Sequence, residues 1–336
     1  MVVRIYGKDS FRVSLQIMIV DLNVKERCGR FCIYLCTAAP QPGELRAIIL
    51  GDWGERLLQG QDRVAAAMAT WAAENNPAFI ITTGDNIYPR GINSPDDPQM
   101  DRKWRNVYNN ESLVSLDWYV SVGNHDFGDW DGVEWNEVGF SALEPRWILP
   151  HLWHDLHVDL GDHSVYFVII DTESFGHQIN NYTDMLVWMD EKLRDSTADF
   201  KFVVGHRHCF SSGDVLYGAV TTDILNVLVP IMERHHVDAY IAGHDHNLQH
   251  IRNISGEGMD YIVNGAGGSL LSYFVQSNAD YIRDFYQMDT VFFRMTYGFI
   301  TLTSSRFWVV FDFYDEQAQL IYTFTRNRFE VSPHKN

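Results

Sequence analysis

The stretch LRAIILGDWG, residues 45–54, sets the architecture. Its first six residues hold one charge and otherwise only apolar side chains, and they run straight into Gly51-Asp52. A short apolar run closed by glycine reads as a strand buried on both faces. A carboxylate directly after such a strand stands where α/β sheets gather ligands, beyond the strand's carboxyl end. The same phrase recurs in predicted strands over Phe79–Thr83, Trp118–Val122, Phe200–Val204 and Val237–Ala242, each followed by glycine and then a residue able to bind metal. Those residues are Asp85, Asn124, His206 and His244. Glycine at each joint is expected to let the chain turn tightly. Five joints spread from residue 52 to residue 244 would converge if their strands end side by side.

The intervening segments supply the covering layers. Gln59–Asn75 predicts a helix with Val64, Met68, Trp71 and Ala72 on one face, stopped by Asn75-Asn76-Pro77. Tyr182–Arg194 predicts an amphipathic helix with Leu186, Met189 and Leu193 inward and Asp184 near its start. Thr221–His236 reads as a helix kinked at Pro230, with His235-His236 capping its end. His157–Leu160 and Ser164–Asp171 read as a strand pair around Gly161-Asp162, and Gly298–Thr325 alternates as antiparallel strands do. This order predicts one layered α/β domain over residues 44–326. A leader, 1–43, precedes it, and a polar tail, 327–336, follows, with the chain fraying from Arg326.

Composition narrows the partners. The formal net charge of −18 argues against nucleic acid, which is bound through basic patches, and against electrostatic docking to an anionic membrane. An anionic substrate then needs local attraction, such as bound cations. No run of 18 apolar residues exists, so no spanning helix is expected; Thr290–Tyr314 is broken by Arg294, Ser304, Ser305 and Arg306. With 10 Trp, 16 Tyr and 20 Phe the core should be rich in aromatics. FCIYLCTAA, residues 31–39, follows Arg27 and Arg30 and looks like a signal-peptide core and cleavage region. The basic segment before it is long for a signal, so either the true start lies downstream of Met1 or the segment serves another purpose. Cys28, Cys32 and Cys36 step by four and suit a hydrophobic or membrane-directed stripe better than a metal site, having no fourth ligand nearby. Sequons stand at Asn110, Asn181 and Asn253.

The pieces GDWG (51–54), GDNIY (84–88), WYVSVGNHD (118–126), VGH (204–206) and AYIAGHDHNLQ (239–249), in this order, resemble the calcineurin-like metallophosphoesterases. Within them the chain looks like the purple acid phosphatases of the mammalian, tartrate-resistant type, from about Leu45 to Thr325. The resemblance implies a sandwich of two mixed β-sheets flanked by helices. It implies a dinuclear centre and acid phosphatase activity on phosphate monoesters, small or on phosphoproteins, by attack of a metal-bound hydroxide. Gly54 stands where most of the superfamily has a ligand His, and Tyr88 can supply a phenolate instead. A phenolate is a hard anion that suits Fe(III), while His and carboxylate suit Fe(II), Zn(II) or Mn(II). Family likeness assigns Asp52, Tyr88 and His246 to the ferric ion, Asn124, His206 and His244 to the divalent ion, and Asp85 to both. Taken in isolation, Tyr88 would read as a core tyrosine. The likeness places His125 beside the substrate, protonating the leaving oxygen or holding phosphate; a purely structural hydrogen bond is the alternative. Asp126 is expected to orient His125 or a neighbouring loop. A monomer in a secreted or lysosomal setting, working at acidic pH, is the expected context.

Departures from the family matter. The family has a second active-site His several residues after the ligand matching His206, but HRHCFSSGD (206–214) has none at that spacing. Tyr217 or His208 would then fill the place, or Arg207 and His208 would join the phosphate pocket. The segment after Asp171 lacks the family's Cys and reads as a short loop, which leaves Cys209 without a disulfide partner and implies activity without proteolytic clipping. Gly265–Gly268 lacks a dinucleotide-binding spacing and reads as a close backbone approach near the metals. Glu55 and Arg56 are expected at the rim, and His151, His154, His157 and His163 outside the site. Two other functions stay open: a phosphodiesterase or nucleotide pyrophosphatase on the same metals, and a phosphatase-like binding protein without activity.

Overall fold

The structure, a computed structural model, describes residues 43–55, 60–128, 132–214 and 219–328. The leader with its three cysteines, Arg56, Tyr217 and the tail from 329 lie outside the described residues.

The opening strand β1 (Leu45–Leu50) lies in the middle of a seven-stranded sheet. On one side it pairs in parallel with β2 (Phe79–Thr82), which leads to β3 (Asp117–Tyr119) and β4 (Trp147–Ile148). On the other it pairs antiparallel with β12 (Gly298–Ser304), the first strand of a meander with β13 (Trp308–Asp315) and β14 (Leu320–Asn327). Ile49 is fixed opposite Ile81 on one flank and Ile300 on the other.

A second seven-stranded sheet runs in the order β11 (Met288–Arg294), β9 (Leu248–Asn253), β10 (Asp260–Asn264), β8 (Ala239–Ala242), β7 (Phe200–Val204), β6 (Ser164–Ile169), β5 (His154–Asp159). Its central strands β6, β7, β8 and β10 are mutually parallel. Both sheets are mixed, as the resemblance implied.

Alternation along the strands builds three cores. Ala47 and Ile49 of β1 face the other sheet, where they meet Phe167, Phe202, Ile241 and Ile262. Ile48 and Leu50 face outward onto α1 (Gly60–Asn75) through Val64, Met68, Trp71 and Ala72. The outer face of the second sheet carries Val168, Val203 and Tyr240 against Met185, Met189 and Leu193 of α4 (Tyr182–Asp195). The layers are therefore helix, sheet, sheet, helix. Trp53, Trp104, Trp118 and Trp147 form one fully buried cluster, with edge-to-face contacts of Trp147 to Trp53 and Trp104 and of Trp104 to Trp118, so the aromatic content goes into the core.

Several details differ from the sequence reading. The buried face of α4 holds Met189 and Leu193 as expected and adds Met185, while Leu186 packs partly buried against the same core. Thr221–His236 is two short helices, α5 (Ala219–Asp223) and α6 (Val229–Arg234), joined by a π-turn over Ile224–Leu228. Pro230 has no N–H to give, and the wider turn before it removes the clash that a continuous α-helix would suffer. The expected loop after Asp171 is instead α3 (Thr172–His177), capped by the Asp171 carboxylate at 2.9 Å from the N–H groups of Glu173 and Ser174. Arg326 does not fray: it sits in β14 and pairs with Asp238 at 3.2 Å and Asp260 at 3.0 Å. The helices α2 (Glu134–Ser141) and α7 (Gln276–Tyr286) and strands β9 to β11 add to the predicted set. Among the described residues no helix is long and apolar enough to cross a membrane.

Candidate metal centre

The carboxyl ends of β1 and β2 from one sheet, and of β7 and β8 from the other, meet at one edge of the sandwich. Asp52 follows β1, Asp85 and Tyr88 follow β2, His206 follows β7, and His244 and His246 follow β8. Asn124 arrives on an extended run after β3, which ends at Tyr119 and not at Val122. The turning is done by these side-chain-bearing residues themselves. Asp52, Asp85 and His244 have φ of 58°, 51° and 70°, a region that only Gly enters without strain. The glycines before them mainly permit close approach. A Cβ at Gly243 would strike the Asp52 carboxylate, and one at Gly84 would come to 2.8 Å from the Gly123 nitrogen and His206 Nδ1. Gly265, Gly267 and Gly268 likewise press against the backbone of Asp245, Gly51 and Trp53, as the glycine-rich run suggested.

All seven expected ligands converge. Tyr88 Oη lies 3.2 Å from Asp52 Oδ1, 3.1 Å from Asp85 Oδ2 and 3.1 Å from His246 Nε2. His246 Nε2 is 3.2 Å from Asp52 Oδ1. Beside this group, His206 Nε2 is 3.1 Å from Asn124 Oδ1, 3.2 Å from His244 Nδ1 and 3.4 Å from Asp85 Oδ1. Two triads thus share Asp85: one with Asp52 and His246, the other with His206 and His244, and each has donor atoms within 4.8 Å of one another.

The residues fit a cation pair. The Nδ1–H of His246 donates to the Leu270 carbonyl at 2.7 Å, and that of His206 donates to the Thr83 carbonyl at 2.9 Å. Each ring therefore turns its Nε2 inward, the arrangement metal-binding imidazoles use. The Tyr88 hydroxyl has one proton to share between two carboxylates. Burial pushes the Tyr88 hydroxyl far above its usual range, and the charges of Asp85 and Asp52 push it further, so a phenolate here requires a cation. Burial also opposes charge on His246, yet the hydrogen bond and charge of Asp52 outweigh it and raise that ring to about 9. Burial and the neighbouring Asp52 raise Asp85, against the pull of His206. Two buried carboxylates in one field ask for positive charge.

Neighbouring residues have separate tasks. His125 is partly exposed; its Nδ1 lies 2.7 Å from the Pro89 carbonyl and its Nε2 3.9 Å from Asp85 Oδ2, so Nε2 borders the centre. Its backbone N–H donates to Asp85 Oδ1 at 2.8 Å. Asp126 does not orient the His125 ring. Fully buried, it accepts the N–H groups of Asn86, Ile87 and Gly123 at 2.8–3.1 Å and ties the two ligand loops together. His208 is buried, with its ring stacked 5.8 Å from His244, so it does not stand in an open phosphate pocket. Arg207 points to Glu173 and His244. Cys209 is buried and unbridged. His154, with Nε2 2.9 Å from the Val120 carbonyl, and His163, bound to Ser304, lie outside the centre as expected.

Sequence reading missed Glu173, Thr83 and Leu270. Two of these act through backbone carbonyls, which leave no trace in side-chain type. Glu173 lies 34 positions from the arginine it holds.

Residues 45–248 match the calcineurin-like phosphoesterase family. The chain is 32% identical to purple acid phosphatase 4 of Arabidopsis thaliana over 246 residues, covering 68% of this chain and 70% of that protein. It is 27% identical to tartrate-resistant acid phosphatase type 5 of Oryctolagus cuniculus over 248 residues, covering 66% and 73%. Its fold is also that of GAP50, described as the anchor in the inner membrane complex of Plasmodium, with a TM-score of 0.69, 23% identity, and 85% and 89% of the two chains covered. With the donor set assembled at the expected sheet edge, the chain belongs to the purple acid phosphatases of the calcineurin-like phosphoesterase family and is a metal-dependent hydrolase of the acid phosphatase type.

Proposed function

We propose that the chain hydrolyses phosphate monoesters at a mixed-metal centre. Tyr88, as phenolate, holds Fe(III) with Asp52 and His246. Asn124, His206 and His244 hold Fe(II), Zn(II) or Mn(II), and Asp85 is shared. The observation that carries this is the position of Tyr88 Oη, within 3.2 Å of two carboxylates and an imidazole nitrogen. A hard anionic phenol oxygen at that place favours a trivalent ion. A metal pair bound there supplies an acidified water and positive charge against the phosphoryl oxygens. That charge also offsets the −18 of the chain, which would otherwise repel a phosphate.

The protein's own groups complete the site. The Pro89 carbonyl fixes the His125 ring, whose Nε2 stands at the mouth to protonate the leaving oxygen. The carbonyls of Thr83 and Leu270 hold two ligand rings in the metal-binding tautomer. A secreted or lysosomal monomer acting on small phosphomonoesters or phosphoproteins is the proposed context; the signal-like segment 31–39 and the exposed sequons at Asn110 and Asn181 support it.

A second reading draws on the Plasmodium neighbour described as an anchor: a binding protein without turnover. The complete donor set weighs against it, since binding alone needs none of the seven. Paired assays with an aryl phosphate monoester and the matching diester, on wild type and Asp52→Ala, separate these functions. Monoester turnover that disappears in Asp52→Ala supports the proposal; preference for the diester, or no turnover by metal-loaded wild type, overturns it.

A further inference from the structure

Three imidazoles around the centre have their outer nitrogen settled by a backbone carbonyl: His206 by Thr83, His246 by Leu270 and His125 by Pro89. His244 is the exception. Its inner nitrogen, Nδ1, faces His206 Nε2 at 3.2 Å, and its outer nitrogen, Nε2, lies 2.9 Å from Arg207 Nη1. A guanidinium only donates. His244 Nε2 must therefore accept, and in a neutral ring Nδ1 then carries the hydrogen. The donors form a directed chain: Arg207 Nη1–H to His244, His244 Nδ1–H to His206 Nε2, and His206 Nδ1–H to the Thr83 carbonyl. In that chain the lone pair His244 would offer a metal is absent.

Arg207 is held in this pose from several sides. Its Nε and Nη2 pair with both oxygens of Glu173 at 2.8 and 2.9 Å. Glu173 is fully buried in the first turn of α3. The Arg207 backbone N–H donates to Thr172 Oγ1 at 3.0 Å, and its carbonyl accepts from Tyr240 Oη at 2.6 Å. A bidentate carboxylate clamp leaves Nη1 aimed at the ring. A metal on His244 Nδ1 would move the ring's hydrogen to Nε2 and set it against an N–H of a cation.

We infer that Arg207, clamped by Glu173, holds His244 in the tautomer that does not bind metal, so the Asn124–His206–His244 half fills only when Arg207 withdraws. Arg207 is a positioning residue that makes the second ion bind more weakly than the first. This rests on the dinuclear reading above. The chain's one sequence feature at this point is an arginine directly after a metal ligand, in the segment where the second family histidine is missing.

The test is calorimetric titration of zinc(II) into the metal-stripped full chain, for wild type, Arg207→Gln and Arg207→Lys. Lysine keeps an ion pair with Glu173 but does not span both partners, so it guards against a folding defect. The expected result is a tight first ion in all three and a second ion bound about tenfold or more tightly in the variants, the scale of one charge-assisted hydrogen bond. General damage to the site would weaken the second ion, not strengthen it. A second-ion affinity that is unchanged or lower in both folded variants overturns the inference and leaves the dinuclear reading standing. Wild type that takes up no zinc at all overturns both.

Discussion

Asp52, Asp85 and His244 occupy a backbone region that costs non-glycine residues of order 1 kcal/mol each or more, and all three belong to the candidate donor set. That strain is held by the strands behind them, and it aims three side chains at one point. The convergence of these side chains was legible because residue type and position coincided: an acid, amide or imidazole directly after an apolar run and a glycine. The role given to glycine was only partly right, because the joints need its small size more than its φ. Arg207 and Glu173 were not legible as a pair. Nothing in their spacing signals contact, and only the placement of α3 beside β7 brings them together. Asp126 was ambiguous in sequence and is resolved by its three backbone donors. His125 donates no ligand atom to either triad, so its removal should separate chemistry from metal binding. For His125→Ala we expect kcat to fall about 10²–10⁴-fold while metal content by elemental analysis stays at the wild-type value. Loss of metal together with activity would move His125 into the ligand set.

At the scale of elements, the buried central strands were read almost to the residue, since β1 and β7 begin and end where predicted. Runs buried on both faces leave little ambiguity. The edge of the second sheet and α7 were missed because their faces are half exposed: β11 alternates irregularly and α7 buries only Ile282. Pro230 was correctly seen as a disruption, but sequence did not show that a π-turn would absorb it. The two sheets hold together through the inner core, where Phe202 is fully buried between Phe167 and Phe311 with ring centroids at 5.4 and 5.6 Å. Phe202→Ala should cost about 3–5 kcal/mol of unfolding free energy, from lost burial and the cavity left behind. Urea denaturation followed by circular dichroism measures this; a loss below about 1 kcal/mol would mean the sheets do not depend on that layer.

The whole molecule carries its acidity on the surface and several acids inside. Burial, reinforced by Glu173, raises Asp171 to about 7, against its hydrogen bonds from Ser174. The fold thus favours the protonated carboxyl. The stabilisation from this group is complete below its ordinary value of 3.8 and is lost as pH climbs through about 7. Asp171→Asn keeps an oxygen to cap α3 but has no proton to lose. The difference in Tm between pH 5 and pH 8 should be smaller in this variant than in wild type; equal differences would show that Asp171 is not a source of the pH dependence. The central claim, a phenolate on a ferric ion beside a second metal, is tested most directly by metal analysis and the visible spectrum of the purified chain. Two metals per chain, one of them iron, and a charge-transfer band that disappears in Tyr88→Phe are the predicted result. A colourless iron-loaded protein, or a band that survives Tyr88→Phe, would contradict it.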